Sequence, residues 1–168
     1  WRPCVLYLNG QYWGVYEIRE KADDSDYTDF YYNQNKYNLY YLKTWGGTWQ
    51  DYGAPNALPN WNSLKNYIAT NSMANPTNFA YVDSLLNWKS LCAYFMFNSY
   101  VVNQDWLNWN TAWWRGLDQN GDKKKWRYAL WDMDATFGHY INYTGIPDPS
   151  ANADPCNVEN LPNPGGQG

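Results

Sequence analysis

The stretch "TAWWRGLDQNGDKKKWRYALWDMD" (residues 111–134) sets two aromatic-rich runs on either side of Asn120-Gly121. An Asn-Gly pair accepts the positive φ angles of a tight reversal, so the flanking runs read as the antiparallel strands of a hairpin. A two-residue turn centred on that pair fixes the register. Asn110, just ahead of the first strand, then lies opposite Trp131 and next to Asp132. The preceding segment "NQDWLNWN" (103–110) brings Asp105 towards the same end of the sheet.

Upstream, "YVDSLLNWKSLCAYFMFNSYVV" (81–102) predicts one long helix. Asp83 or Asn87 can cap it, and Leu91, Cys92, Phe95, Met96 and Ser99 follow at spacings of three and four. Its apolar residues cover most faces, which predicts a buried central helix with Cys92 as a small core residue. "NWNSLKNYIATN" (60–71) puts Trp61, Leu64, Tyr67 and Ile68 on one helical face. Residues 21–60 are polar, aromatic and turn-rich and predict loops with a short helix. "CVLYLNGQYWGVYEIRE" (4–20) alternates about Asn9-Gly10, predicting strands near 4–8 and 12–19. From 141 onward the chain is rich in Pro, Asn and Gly and predicts an irregular tail.

A chain of 168 residues suffices for one domain with a sizeable core. Aromatic residues make up 20%, charged residues only 17%, and the net charge is −4. Phosphate backbones need concentrated positive charge, and Lys123-Lys124-Lys125 is the only basic run, so nucleic acid is excluded as a partner. No stretch approaches the roughly 18 apolar residues of a membrane-spanning helix. Cys4, Cys92 and Cys156 lack metal-type spacing, although Cys4 and Cys156 could pair in an oxidising compartment. The single histidine, His139, argues against His-based triads and reads as a packing or loop residue. The excess of Asn, Tyr, Trp and Thr over Lys and Glu has the flavour of a secreted protein.

Two carboxylates and an amide oxygen at one sheet end suit a hard cation such as Mg²⁺. Phosphoryl transfer needs such a set: one Asp to orient the acceptor hydroxyl, and an Asn and a further Asp to hold metal on the nucleotide phosphates. "DWLNWN" has the D-x-x-x-x-N spacing of a protein-kinase catalytic loop, and "WDMDATFG" stands where the metal-binding Asp-Phe-Gly would stand. Together with "LNGQYWGVYEIRE", these motifs resemble the CotH family, the spore-coat-protein-H type of atypical protein kinase. The resemblance spans about residues 5–140, and W-D-x-D-x-T-F-G is its most specific part.

The resemblance implies an α+β, protein-kinase-like fold and a single partial domain over 1–168. A hinge-side hairpin would occupy 1–20 and a mainly helical C-lobe with a catalytic β-hairpin 21–140, followed by the tail 141–168. It implies ATP and Mg²⁺ or Mn²⁺ as cofactors, and a Ser or Thr of a secreted, surface or spore-coat protein as acceptor. Asp105 would be catalytic. Asn110 and Asp132 would hold metal, with Asp134 competing for the last role, since alternate residues of an extended strand share a face. Glu17, Ile18 and Glu20 would run past the adenine edge. The Lys and Glu that grip the phosphates belong ahead of Trp1, and the lobe should continue beyond Gly168.

Other readings remain open on the residues alone. A structural pseudokinase would keep the fold as a surface scaffold. A carbohydrate-binding module would use exposed coplanar tryptophans. A glycosidase would face two acids across an open cleft about 5–10 Å wide.

Overall fold

The computed structural model describes residues 2–101, 103, 109–134 and 136–137. Among them the chain is α+β, with four helices and two antiparallel sheets. The order is β1 (Arg2–Leu8), β2 (Gln11–Ile18), α1 (Ser25–Tyr32), β3 (Leu39–Thr44), β4 (Thr48–Gly53), α2 (Ala57–Thr70), α3 (Pro76–Leu85), α4 (Trp88–Tyr100), β5 (Thr111–Gly116) and β6 (Arg127–Leu130). The strands form a two-stranded ribbon, β1-β2, and a four-stranded sheet in the order β4-β3-β5-β6. The predicted tail, 141–168, lies outside the described residues.

The four-stranded sheet is the centre of the molecule because each face is covered. Leu42 of β3 and Trp113 of β5 pack with Trp61 and Leu64 of α2, Val82 of α3, Leu86 and Trp126. On the opposite face Leu39, Tyr41, Ala112 and Trp114 meet Tyr32 of α1, with Tyr52 and Trp131 beside them. Strand β3 is buried on both sides, so "LYYLKT" carries no two-residue alternation. The sequence therefore predicts loops where the structure has a hairpin, and a sheet of four strands replaces the expected two. Gly46 makes that hairpin's turn at φ +71, a conformation that favours glycine.

The segment 81–102 forms two helices rather than one. Asn87 caps α4 by accepting from the Ser90 N–H at 3.2 Å, while Leu86 and Asn87 leave the helical region. Leu86 is buried and bridges Trp126; the Asn87 N–H reaches the Trp126 carbonyl at 2.9 Å, and the Trp126 N–H reaches the Leu85 carbonyl at 2.7 Å. Tertiary pairing plus a good cap outweighs helical continuity here. Helix α4 itself is not a buried central helix. Only Tyr94 and Asn98 are buried along it, because one side alone meets the sheet edge; Cys92, Met96 and Tyr100 are exposed. No helix among the described residues is long and apolar enough to cross a membrane.

The ribbon turns as predicted, with Asn9 at φ 50 and Gly10 at φ +80. Its pairing runs from Arg2 opposite Ile18 to Leu8 opposite Gln11, with an irregularity between Leu6 and Tyr7. Val5, Trp13 and Val15 are all more than half exposed.

Candidate functional site

Strands β5 and β6 pair Thr111 with Leu130 and Ala112 with Ala129, as the Asn120-Gly121 register requires. The next residues outward are Asn110 and Trp131, followed by Asp132. The reversal itself is wider than two residues: 117–126 form a loop in which the Gly121 N–H bonds the Asp118 carbonyl at 3.2 Å. Gln34, fully buried, fills that loop by donating to the Asp122 carbonyl at 2.6 Å and accepting from the Asp118 N–H at 3.0 Å. The strand pairing keeps the register centred on that pair as far as Trp114 opposite Arg127, although the loop closes off-centre, with the Gly116 N–H on the Lys123 carbonyl at 3.1 Å.

Both Asn110 (φ 48) and Asp132 (φ 52) are left-handed at this end of the sheet. Asn and Asp tolerate that conformation better than other non-glycine residues, yet two together mark a locally constrained backbone. Asn110 is buried and Asp132 and Asp134 are exposed. Strand β6 ends at Leu130 and Asp132 is not extended, so the expected shared face of Asp132 and Asp134 does not follow. The left-handed turn at Asp132 breaks the two-residue alternation.

The end of α4 is tied to this segment. The Asn98 amide donates to the Tyr94 carbonyl at 2.8 Å and accepts at Oδ1 from Asn103 Nδ2 at 2.7 Å. Asn103 also points Nδ2 at the Met133 sulfur, 3.6 Å away. The Phe137 N–H reaches the Val101 carbonyl at 2.8 Å, and Thr136 Oγ1 donates to the Met133 carbonyl at 3.0 Å. Tyr94 Oη donates to Thr111 Oγ1 at 3.4 Å, and burial holds its phenol above the ordinary value. Asp105 falls outside the described residues. Its flanks do not: Asn103 is held as above, and the Trp109 ring packs edge-on against Trp45, over Gly46.

The sequence gives no sign of a buried ion cluster on β3. Lys43, 8% exposed, places Nζ 2.6 Å from Asp23 Oδ2 and 2.9 Å from Asp51 Oδ2. The same ammonium lies 4.7 Å from the centre of the Trp131 ring, so it also contacts the residue that precedes Asp132. Asp23 lies two residues beyond Lys21, whose Nζ is 4.0 Å from the same carboxylate. The stretch from Glu17 is thus joined to the Trp131–Asp134 segment through one lysine. Gly46-Gly47 between two β-type runs was the available signal for the hairpin; the burial of Lys43 needed the fold.

Glu17 and Ile18 end β2, opposite Pro3 and Arg2. Glu17 forms an exposed pair with Arg19 at 3.8 Å, Ile18 is exposed, and Glu20 Oε2 accepts from Tyr31 Oη of α1 at 3.0 Å. Cys156, the suggested partner of Cys4, and His139 lie outside the described residues. Two of the exposed tryptophans meet a neighbouring indole edge-on rather than in one plane: Trp45 crosses Trp109 at 72° and Trp49 crosses Trp131 at 80°.

The CotH kinase protein family model matches residues 1–164. The chain belongs to the CotH kinase family. Neither curated proteins nor solved structures give a match. Among the described residues no three His, Cys, Asp or Glu side chains gather to hold a metal. At this end of the sheet the CotH chain has two exposed carboxylates, Asp132 and Asp134, and the buried Asn110 amide, one residue before β5. All three supply hard oxygen donors of the kind Mg²⁺ and Mn²⁺ take, so the donor chemistry fits the divalent ion of a kinase.

Proposed function

We propose that this CotH chain has a protein-kinase-like architecture, with the ribbon on the hinge side and the four-stranded sheet carrying the catalytic hairpin. The reaction is transfer of the γ-phosphoryl group of ATP to a Ser or Thr hydroxyl of a secreted, surface or spore-coat protein. The observation that carries this reading is the β5-β6 register, which sets Asn110 beside the Trp131-Asp132 step at the D-x-x-x-x-N spacing from Asp105.

Asp105 accepts the hydroxyl proton as the acceptor oxygen attacks the γ-phosphorus and the bond to the β-phosphate oxygen breaks. Asn110 and Asp132 hold Mg²⁺ or Mn²⁺, with Asp134 as the further carboxylate. When bound, the metal neutralises charge on the phosphate oxygens. Glu17, Ile18 and Glu20 run past the adenine. Lys43 acts through Trp131, keeping the segment before Asp132 in place while Asp23 and Asp51 balance its charge.

Calorimetric titration of ATP, with and without Mg²⁺ or Mn²⁺, tests these roles. Metal-dependent binding should be present in the unaltered chain, lost in Asp132→Ala and kept in Asp105→Ala. Equal binding in Asp132→Ala would remove that residue from the metal site.

A further inference from the structure

A cavity of about 280 Å³ opens on the α1 side of the sheet, lined by Ala22, Tyr27, Tyr32, Trp114, Arg127 and Tyr128 among others. Arg127 stands out in it. Its guanidinium carbon lies 5.6 Å from the Trp114 ring centre, and its Nε is buried with no hydrogen-bond partner. No carboxylate pairs with it among the described residues; the ionisable groups that face it are the phenols Tyr32 and Tyr27. Burial lowers the guanidinium pKa, the direction expected of a cation taken from water without a compensating anion.

The neighbouring groups are also donors. Tyr27 Oη and Tyr32 Oη are 3.4 Å apart. Two hydroxyls carry two protons and their mutual bond uses one, which leaves one O–H to donate into the cavity. Glu20, the carboxylate whose charge reaches Tyr27, accepts from Tyr31 and does not line the space. A planar cation with unused N–H donors, a phenolic donor and aromatic walls match an oxyanion on a small molecule.

We propose that this cavity binds a small oxyanion, a phosphate or carboxylate group, through Arg127 and the Tyr27–Tyr32 hydroxyl pair. The site is independent of the nucleotide reading, because neither Asn110 nor Asp132 belongs to it.

The test is NMR titration of the full chain with inorganic phosphate and, separately, acetate, following the indole N–H of Trp114. A saturable shift with at least one anion is expected, and which one responds names the group carried by the ligand. The shift should vanish in Arg127→Gln. It should weaken about tenfold in the double variant Tyr27→Phe/Tyr32→Phe, which keeps both rings and leaves no phenolic donor; Tyr27→Phe alone still leaves the Tyr32 O–H to donate. Asp132→Ala should leave it unchanged, so failure of the phosphotransfer reading would not disturb this result. No saturable shift with either anion would overturn the site, as would equal affinities in the unaltered chain and the double variant Tyr27→Phe/Tyr32→Phe, even if Arg127→Gln fails to fold.

Discussion

At Asn9-Gly10 the chain reverses between strands whose apolar side chains lie exposed; at Asn120-Gly121 it reverses between strands at the centre of the fold. The first turn is tight, with both residues at positive φ. The second is a loop over 117–126 filled by the Gln34 amide. Each dipeptide centres its register, yet burial differs completely: Trp113 and Trp114 are at most 1% exposed, while Trp13 is 57% exposed. Turn chemistry determines which residues face each other. Packing determines whether that pairing can hold a site in place.

The sharpest break of the comparison is a matched pair of truncations. Trp113→Ala should destabilise the chain by ~3–5 kcal/mol, the usual cost of emptying an aromatic core position. Trp13→Ala should stay within about 0.5 kcal/mol, as exposed substitutions do. Denaturant unfolding of both variants checks this, and equal losses would mean the ribbon packs as firmly as the sheet.

Next comes the ion cluster. Lys43→Met removes the cation between Asp23 and Asp51 and should cost about 3 kcal/mol, the low end for breaking a buried pair, because Asp51 keeps some solvent. Near-ultraviolet circular dichroism should change as well, since Trp131 loses the ammonium beside its ring. An unchanged aromatic spectrum would show that Lys43 does not position Trp131.

Smaller effects distinguish the two turns. Gly121→Ala pushes a methyl group against the Gln34 amide and the Asn33 carbonyl, and should cost ~1–3 kcal/mol by overpacking. Gly10→Ala meets open space, leaving only the strain of φ +80, about 1 kcal/mol. Hydrogen exchange should report the Gly10 change within β1-β2 alone, and the Gly121 change across the whole sheet. Identical exchange patterns would remove the distinction between the turns.

These differences also show what the sequence made legible. The β5-β6 register could be read, because Asn-Gly acts locally and the two-residue period does the rest; at Asn9-Gly10 the turn was readable but the shift between Leu6 and Tyr7 was not. Helix α2 was readable from Trp61, Leu64, Tyr67 and Ile68, since one buried face leaves a periodic record. Strand β3 was not, because burial on both faces erases alternation. The break before α4 depended on Leu86 meeting Trp126, far along the chain, though Asn87 was visible as a cap. At the candidate site, Asn110 and Asp132 followed from register, and the Asp105 spacing was plain in the sequence. The left-handed turn at Asp132 and the burial of Lys43 were not, as both are set by contacts across the sheet.

The most direct test of the central claim is paramagnetic broadening by Mn²⁺ in the presence of ATP, read on assigned backbone amides. Broadening centred on Thr111, Leu130, Trp131 and Asp134, with the β1-β2 turn at Asn9-Gly10 left sharp, is the predicted result. Mn²⁺ that leaves the Asn110–Asp132 end of the sheet as sharp as that turn would contradict the account.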